Sequence, residues 1–177
     1  MESELRARVP FLAWPVQWSH PAYGLMWFTD EPGAIVTQCL VERATPGAIG
    51  ALHDFLDETV RLGLFEGRTD VVIVHDWRSI RVIDPGCRAE WLRRTQRPNK
   101  PFANIAASYV AVQLTGVLRM AVQTGALAVQ LATGQQPVKI IDDPLEALAQ
   151  CRIRAPARDL YDSLRRASGR FKLPRTP

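Results

Sequence analysis

Four consecutive apolar residues, Val71-Val72-Ile73-Val74, constrain the fold more than any other feature of this chain. A run this short has the length of a strand, and with no polar residue at alternate positions both of its faces must be covered. Such a strand belongs in the middle of a sheet. The chain has 177 residues, 47% of them hydrophobic and 23% charged, enough for one ordinary domain with an appendage and a solvated surface.

The segments around this run alternate in type. Upstream, Gly24 to Thr29 and Ala34 to Val41 read as strands, and Asp30-Glu31-Pro32-Gly33 between them is a turn signal, so the pair predicts a hairpin. Thr45-Pro46 then opens a helix, with Thr as N-cap and Pro in the first turn, where a missing amide costs nothing. Ile49, Leu52, Leu56 and Val60 form its buried stripe, and Gly63 or Gly67 ends it. Downstream, the pattern predicts a helix from Asp84 through Trp91 and Leu92 to about Thr95, a basic loop at Arg97-Pro98-Asn99-Lys100-Pro101, and a strand over Ile105 to Val112. Leu114, Val117, Leu118, Ala121 and Val122 predict a helix from about Thr115 to Ala132, closed by Gly134. Val138 to Ile141 is a last strand, and Pro144 to Cys151 a last helix capped by Asp143. The order β-β-α-β-α-β-α-β-α implies an α/β fold, a mostly parallel or mixed sheet covered by helices.

Two flanking regions stand apart from this core at 24–153. In the leading arm, 1–23, Pro10, Pro15 and Pro21 argue against a long helix, and the rings of Phe11, Trp14, Trp18 and Tyr23 are expected to pack against the domain. A partner-binding aromatic surface is the alternative for the arm. The tail, 154–177, reads as a short amphipathic piece at Leu160 to Leu164 followed by a solvated basic terminus. From Arg152 onward eight basic residues face only Asp159 and Asp162, so this end carries +6 of the net +4 and the rest of the chain is −2. Arg165-Arg166 with Arg170 and Lys172 could contact nucleic-acid phosphates, although only Tyr161 and Phe171 are at hand for stacking.

Two segments resemble the STAS domain, the fold of the anti-sigma-factor antagonists and their divergent relatives. The first runs from Val71 to Gly86. In the family an apolar strand ends in Asp-Leu-Ser/Thr and a short link leads to an apolar-Asp-Ser-Ser-Gly helix start; Asp76, Ile80, Val82, Ile83 and Asp84 fall on matching positions with the spacing kept. The second, Ile140-Ile141-Asp142-Asp143-Pro144-Leu145-Glu146-Ala147-Leu148, is similar to the family's last strand and the acidic start of its final helix. The resemblance implies a non-enzymatic interaction domain in signalling or regulation that binds a protein partner through Asp76, Ser79, Asp84, Pro85, Gly86 and Arg88. It also exposes a departure. Where the family carries the serine that a partner kinase phosphorylates, this chain has Pro85 and then Gly86, so the phosphoswitch has no hydroxyl at its usual place; Ser79 and Thr95 are the nearest substitutes. Read from physics alone, Asp84 ahead of Pro85 is expected to be a strong N-cap. A small-ligand or lipid carrier using the apolar interior is the alternative function, as the related lipid-transfer-like branch implies.

Other chemistry finds little support. His75-Asp76 at a strand end, with Ser79 near, invites a hydrolase triad, but no GxSxG elbow frames that serine, and a satisfied loop histidine is the expectation. His20 is isolated, and His53, on the first helix, is expected at the surface or its boundary. Cys87, a turn into the second helix, is expected in the core despite the helix start that could activate it. Cys39, Cys87 and Cys151 have no metal-ligand or disulfide spacing and fit a reducing cytoplasm. No phosphate-binding loop appears, so no cofactor is expected. The residues up to Pro10 are not expected to form a signal peptide, and Ile105 to Thr133, interrupted by Gln113, Arg119, Gln123 and Gln130, is not expected to span a membrane.

Overall fold

A computed structural model describes residues 16–29, 33–96, 104–113, 116–133, 138–151 and 157–170. Along them run β1 (Val16–His20), β2 (Gly24–Thr29), β3 (Ala34–Cys39), β4 (Arg43–Ala44), α1 (Pro46–Arg61), β5 (Val71–Asp76), β6 (Val82–Ile83), α2 (Gly86–Thr95), β7 (Ile105–Ala111), α3 (Val117–Thr133), β8 (Val138–Ile141), α4 (Pro144–Gln150) and α5 (Ala157–Arg170). Six strands form one mixed sheet in the order β1-β2-β3-β5-β7-β8, and β4 pairs with β6 in a separate two-stranded ladder. The class is α/β.

The apolar run sits where its composition requires. β5 lies between β3 and β7, parallel to both, with Ile35 opposite Ile73 and Val74 opposite Tyr109. From β3 to β8 each crossover moves one strand over in the same direction. A right-handed connection then leaves the crossover helices on one face of the sheet. α1 supplies Ile49, Leu52, Phe55 and Leu56 to a cluster with Met26, Phe28, Ile35 and Ile73, α2 adds Cys87 to it, and α3 sets Val122 against Val110. On the opposite face α4 places Ala147 and Leu148 on Leu25, Trp27, Val36 and Val74. Strand alternation explains the split, because odd and even residues of β2 and β3 enter different clusters.

Local chemistry holds the elements as read. Thr45 has extended backbone, and its side chain accepts from the Ala48 amide at 3.3 Å, with Pro46 in the first turn. Gly63, at φ +70°, donates to Val60 while Leu64 reaches back to Thr59, closing α1 in a Schellman motif. Asp143 caps α4 by accepting from the Leu145 amide at 3.0 Å. β2 and β3 form the expected antiparallel hairpin. Gly24 opens β2 at φ +137°, and an added Cβ would stand 2.3 Å from the Gln38 carbonyl, so no other residue fits there.

The structure revises several expectations. The sheet includes a strand ahead of residue 24, because β1 pairs antiparallel with β2 from Val16 opposite Phe28 to His20 opposite Gly24. Pro21 falls in the intervening turn, where it interrupts no ladder. Trp18 and Tyr23 do pack on the core, Trp18 edge-on to Phe55 at 5.8 Å; Phe11, Trp14, Pro10 and Pro15 lie outside the described residues, as do Asp30 to Pro32, the loop 97–101 and Gly134. The short amphipathic piece of the tail is a 14-residue helix, α5, docked through Tyr161 onto the cluster under α4. The observed order also contains β4 and β6, whose two residues each are too few for periodicity to register.

Candidate functional site

The parallel strands end together at Cys39, Asp76, Ala111 and Ile141, the edge where open α/β sheets place ligand sites. Beyond β5 the chain turns through Trp77 to Arg81, forms β6, and enters α2. This segment is held by its backbone: the Arg81 and Val82 amides donate to the Glu42 carbonyl at 2.7 and 3.1 Å, and the Asp84 amide donates to Ala44 at 3.0 Å. Trp77 donates from its own amide to Ala111 at 2.8 Å, and Ile80 is buried beneath. The result is a rim whose backbone is fixed while Arg81, Val82, Pro85, Gly86 and Arg88 stand exposed, Val82 at 41%.

Asp84 does not cap α2. Pro85, in helical conformation, occupies the cap position and makes no side-chain bond, while the Asp84 carboxylate pairs with Arg43 on the neighbouring strand. The β4–β6 ladder fixes the Asp84 backbone and brings that guanidinium within reach, and a full charge competes well against the amides of the first turn. Gly86 permits the close meeting of the two helix starts, since a Cβ there would lie 3.0 Å from the Pro46 ring. Arg94 ties the same helices further along, bonding Glu90 at 2.8 Å and Asp54 at 2.5 Å. Arg93 and then Arg94 hold the Glu90 carboxyl down at about 2.

The residues singled out from the sequence fall on two sides of the sheet. Asp84, Pro85, Gly86 and Arg88 gather at the start of α2, with Arg88 making no ion pair among the described residues. Asp76 turns to the other face. It accepts both Nε and Nη2 of Arg78 at 2.8 Å, and Arg78 in turn donates to the Tyr161 hydroxyl at 2.6 Å with its guanidinium over that ring. Hydrogen bonding to Asp76 first, opposed by partial burial, raises the Arg78 pKa, so this guanidinium stays charged. Ser79 is half-buried in the turn between the two groups. Thr95 is buried with its hydroxyl donated to Leu92 at 2.9 Å.

A buried polar chain behind the rim has no counterpart in the sequence reading. Trp77 Nε1 donates to the Tyr23 oxygen at 2.8 Å, Tyr23 and Thr37 share a bond of 2.6 Å, and Thr37 Oγ1 lies 2.8 Å from His75 Nδ1. His75 is therefore satisfied, as expected, but within β5 and not in a loop. Burial pushes its imidazole down to about 4, so it is neutral at pH 7. With His75 bonded to Thr37 and Asp76 to Arg78, on opposite faces, His75, Asp76 and Ser79 do not assemble as a triad. His53 is fully buried and edge-on to Trp91 at 5.1 Å, correcting its expected boundary position; it lies on the stripe of α1 that faces α2. Cys87 is buried as expected, its thiol donating to Ala44 at 3.3 Å, and desolvation raises its pKa against any effect of the helix start. Burial likewise pushes the Cys39 and Cys151 thiols up to about 12.

Among the described residues no group of three or more His, Cys, Asp or Glu stands close enough to hold a metal ion, and no helix is long and apolar enough to cross a membrane. The fold and the edge together define an α/β protein with a mixed six-stranded sheet and a rigid rim at the ends of its parallel strands. No family model, curated protein or solved structure matches the chain.

Proposed function

We propose that this chain is a STAS-like interaction domain that acts without catalysis, binding a protein partner through the rim from Arg81 to Arg88. One observation carries the reading. Three backbone hydrogen bonds to Glu42 and Ala44 preorganise residues 81–84 while the side chains around them remain open to a partner. A surface already ordered loses little conformational entropy on binding. The exposed arginines 81 and 88 beside the apolar Val82 fit a partner that offers carboxylates around a small hydrophobic patch.

Regulation by phosphate at the position the resemblance points to is absent from this reading. Pro85 has no hydroxyl, Thr95 has its own committed inside the structure, and Ser79 is half-buried in the turn before β6, away from the start of α2. The partner is bound constitutively or released by another signal. Asp76 and Arg78 belong to the support of the rim, since their charges satisfy one another and Tyr161.

The test is affinity capture with the full chain as bait. Arg88→Glu and Val82→Asp should each abolish capture of the same partner, whereas Arg158→Glu, exposed on α5, should leave it intact. Undiminished capture by both rim variants rejects the site. A bound lipid released in native mass spectrometry, with no rim-dependent partner, would transfer the function to a carrier.

A further inference from the structure

Among the described residues, α3 carries the most exposed large apolar side chains: Met120 is 64% exposed, Leu127 53% and Leu131 78%. With Thr124, also exposed, they recur at intervals of four, three and four residues, the spacing of a seam that packs against a second helix. Val122, on the opposite side, supplies the contact with the sheet. The helix bears one formal charge in 17 residues, Arg119, which already bonds Asp142 at 2.6 Å. β8, the strand next to it, is an edge of the sheet among the described residues.

We propose that a second copy of this chain covers the seam, with the two α3 helices antiparallel about a two-fold axis. The spacing is symmetric about the point between Gly125 and Ala126. An antiparallel copy therefore sets Met120 against Leu131 and Thr124 against Leu127, so every seam side chain meets its counterpart. The flanks obey the same symmetry. Ala121 and Ala128 line one side and Gln123 and Gln130 the other, and in an antiparallel pair like flank meets like flank: alanines allow close approach, glutamines bond one another.

Charge selects the same occupant. An uncharged face offers a partner's Lys, Glu or Arg no compensation for desolvation, and another copy of α3 brings none. The one cation, Arg119, arrives beside the C-terminal turn of the partner's helix, where the backbone dipole is negative; a parallel pair would bring the two arginines together. Such an interface is isologous and closes as a dimer. It lies on a different element from the rim and does not depend on the function assigned to that edge.

Sedimentation equilibrium of the full chain should return the mass of two chains at micromolar concentration. Leu127→Glu, at an exposed position that the fold itself does not use, should weaken association at least tenfold with an unchanged circular dichroism spectrum. Register is read by thiol cross-linking, against native cysteines that are all buried. The double variant Met120→Cys with Leu131→Cys should form a covalent dimer under mild oxidation. Met120→Cys alone should not, because its two copies lie about 16 Å apart along the axis at 1.5 Å per residue. A monomeric mass at every concentration overturns the proposal and leaves the seam to a different protein. A dimer indifferent to Leu127→Glu, or efficient cross-linking by Met120→Cys alone, overturns it equally.

Discussion

At the scale of single residues, His75 shows how a buried group acquires its character from neighbours. Its ring is buried and shares a hydrogen bond with Thr37; burial favours the neutral form in the folded state, and the imidazole is depressed from 6.5 to about 4. The unfolded chain, with an ordinary imidazole, binds a proton first as pH falls. The contribution of this group is thus complete above pH 6.5 and is lost between 6.5 and about 4, amounting to about 3 kcal/mol at the acid limit. His75→Gln keeps a hydrogen-bonding partner for Thr37 and removes the titration. Urea unfolding at pH 7, 5.5 and 4.5 should show a flatter stability profile for the variant than for the parent; parallel profiles would assign the acid sensitivity to other groups. The position was legible as a strand-end histidine, but its burial was not, because Thr37 and Tyr23 are 38 and 52 residues away in the chain.

At the scale of elements, the helix starts separate what sequence can settle from what it cannot. Thr45 and Asp143 were readable as caps, since each needs only amides two or three residues ahead. Asp84 has the same local signature, Asp before Pro, and yet does not cap, because Arg43 stands across a ladder that joins segments 41 residues apart. The energetics should differ accordingly. Thr45→Ala is expected to lower unfolding free energy by about 1 kcal/mol, the usual value of a lost cap, whereas Asp84→Ala, which breaks an exposed ion pair, should cost no more than about 0.5 kcal/mol. Equal losses in chemical denaturation would restore a capping role to Asp84. The elements missed altogether, β4 and β6, leave no periodic trace because each is shorter than one repeat of alternation.

At the scale of the whole molecule, α5 changes from a solvated tail into part of the fold. Tyr161 carries it, through ring contact with the cluster under α4 and a hydroxyl that accepts from Arg78, 83 residues earlier. Tyr161→Ala leaves the Arg78–Asp76 pair intact and removes both attachments. Amide exchange over 157–170 should then quicken about tenfold while β5 keeps its protection, a local opening rather than a global one. Unchanged exchange in α5 would mean that other contacts hold it.

The sequence alone determined the α/β class, the central place of Val71 to Val74, the hairpin before α1 and the type of most elements, because hydrophobic period, turn residues and caps act over a few neighbouring positions. Only tertiary structure decided that Asp76 and Asp84 serve opposite faces, that His53 and His75 are buried, and that α5 closes over Arg78. Those outcomes depend on which distant side chain fills the space beside a group, and desolvation and ion pairing have no local signature from which to read them.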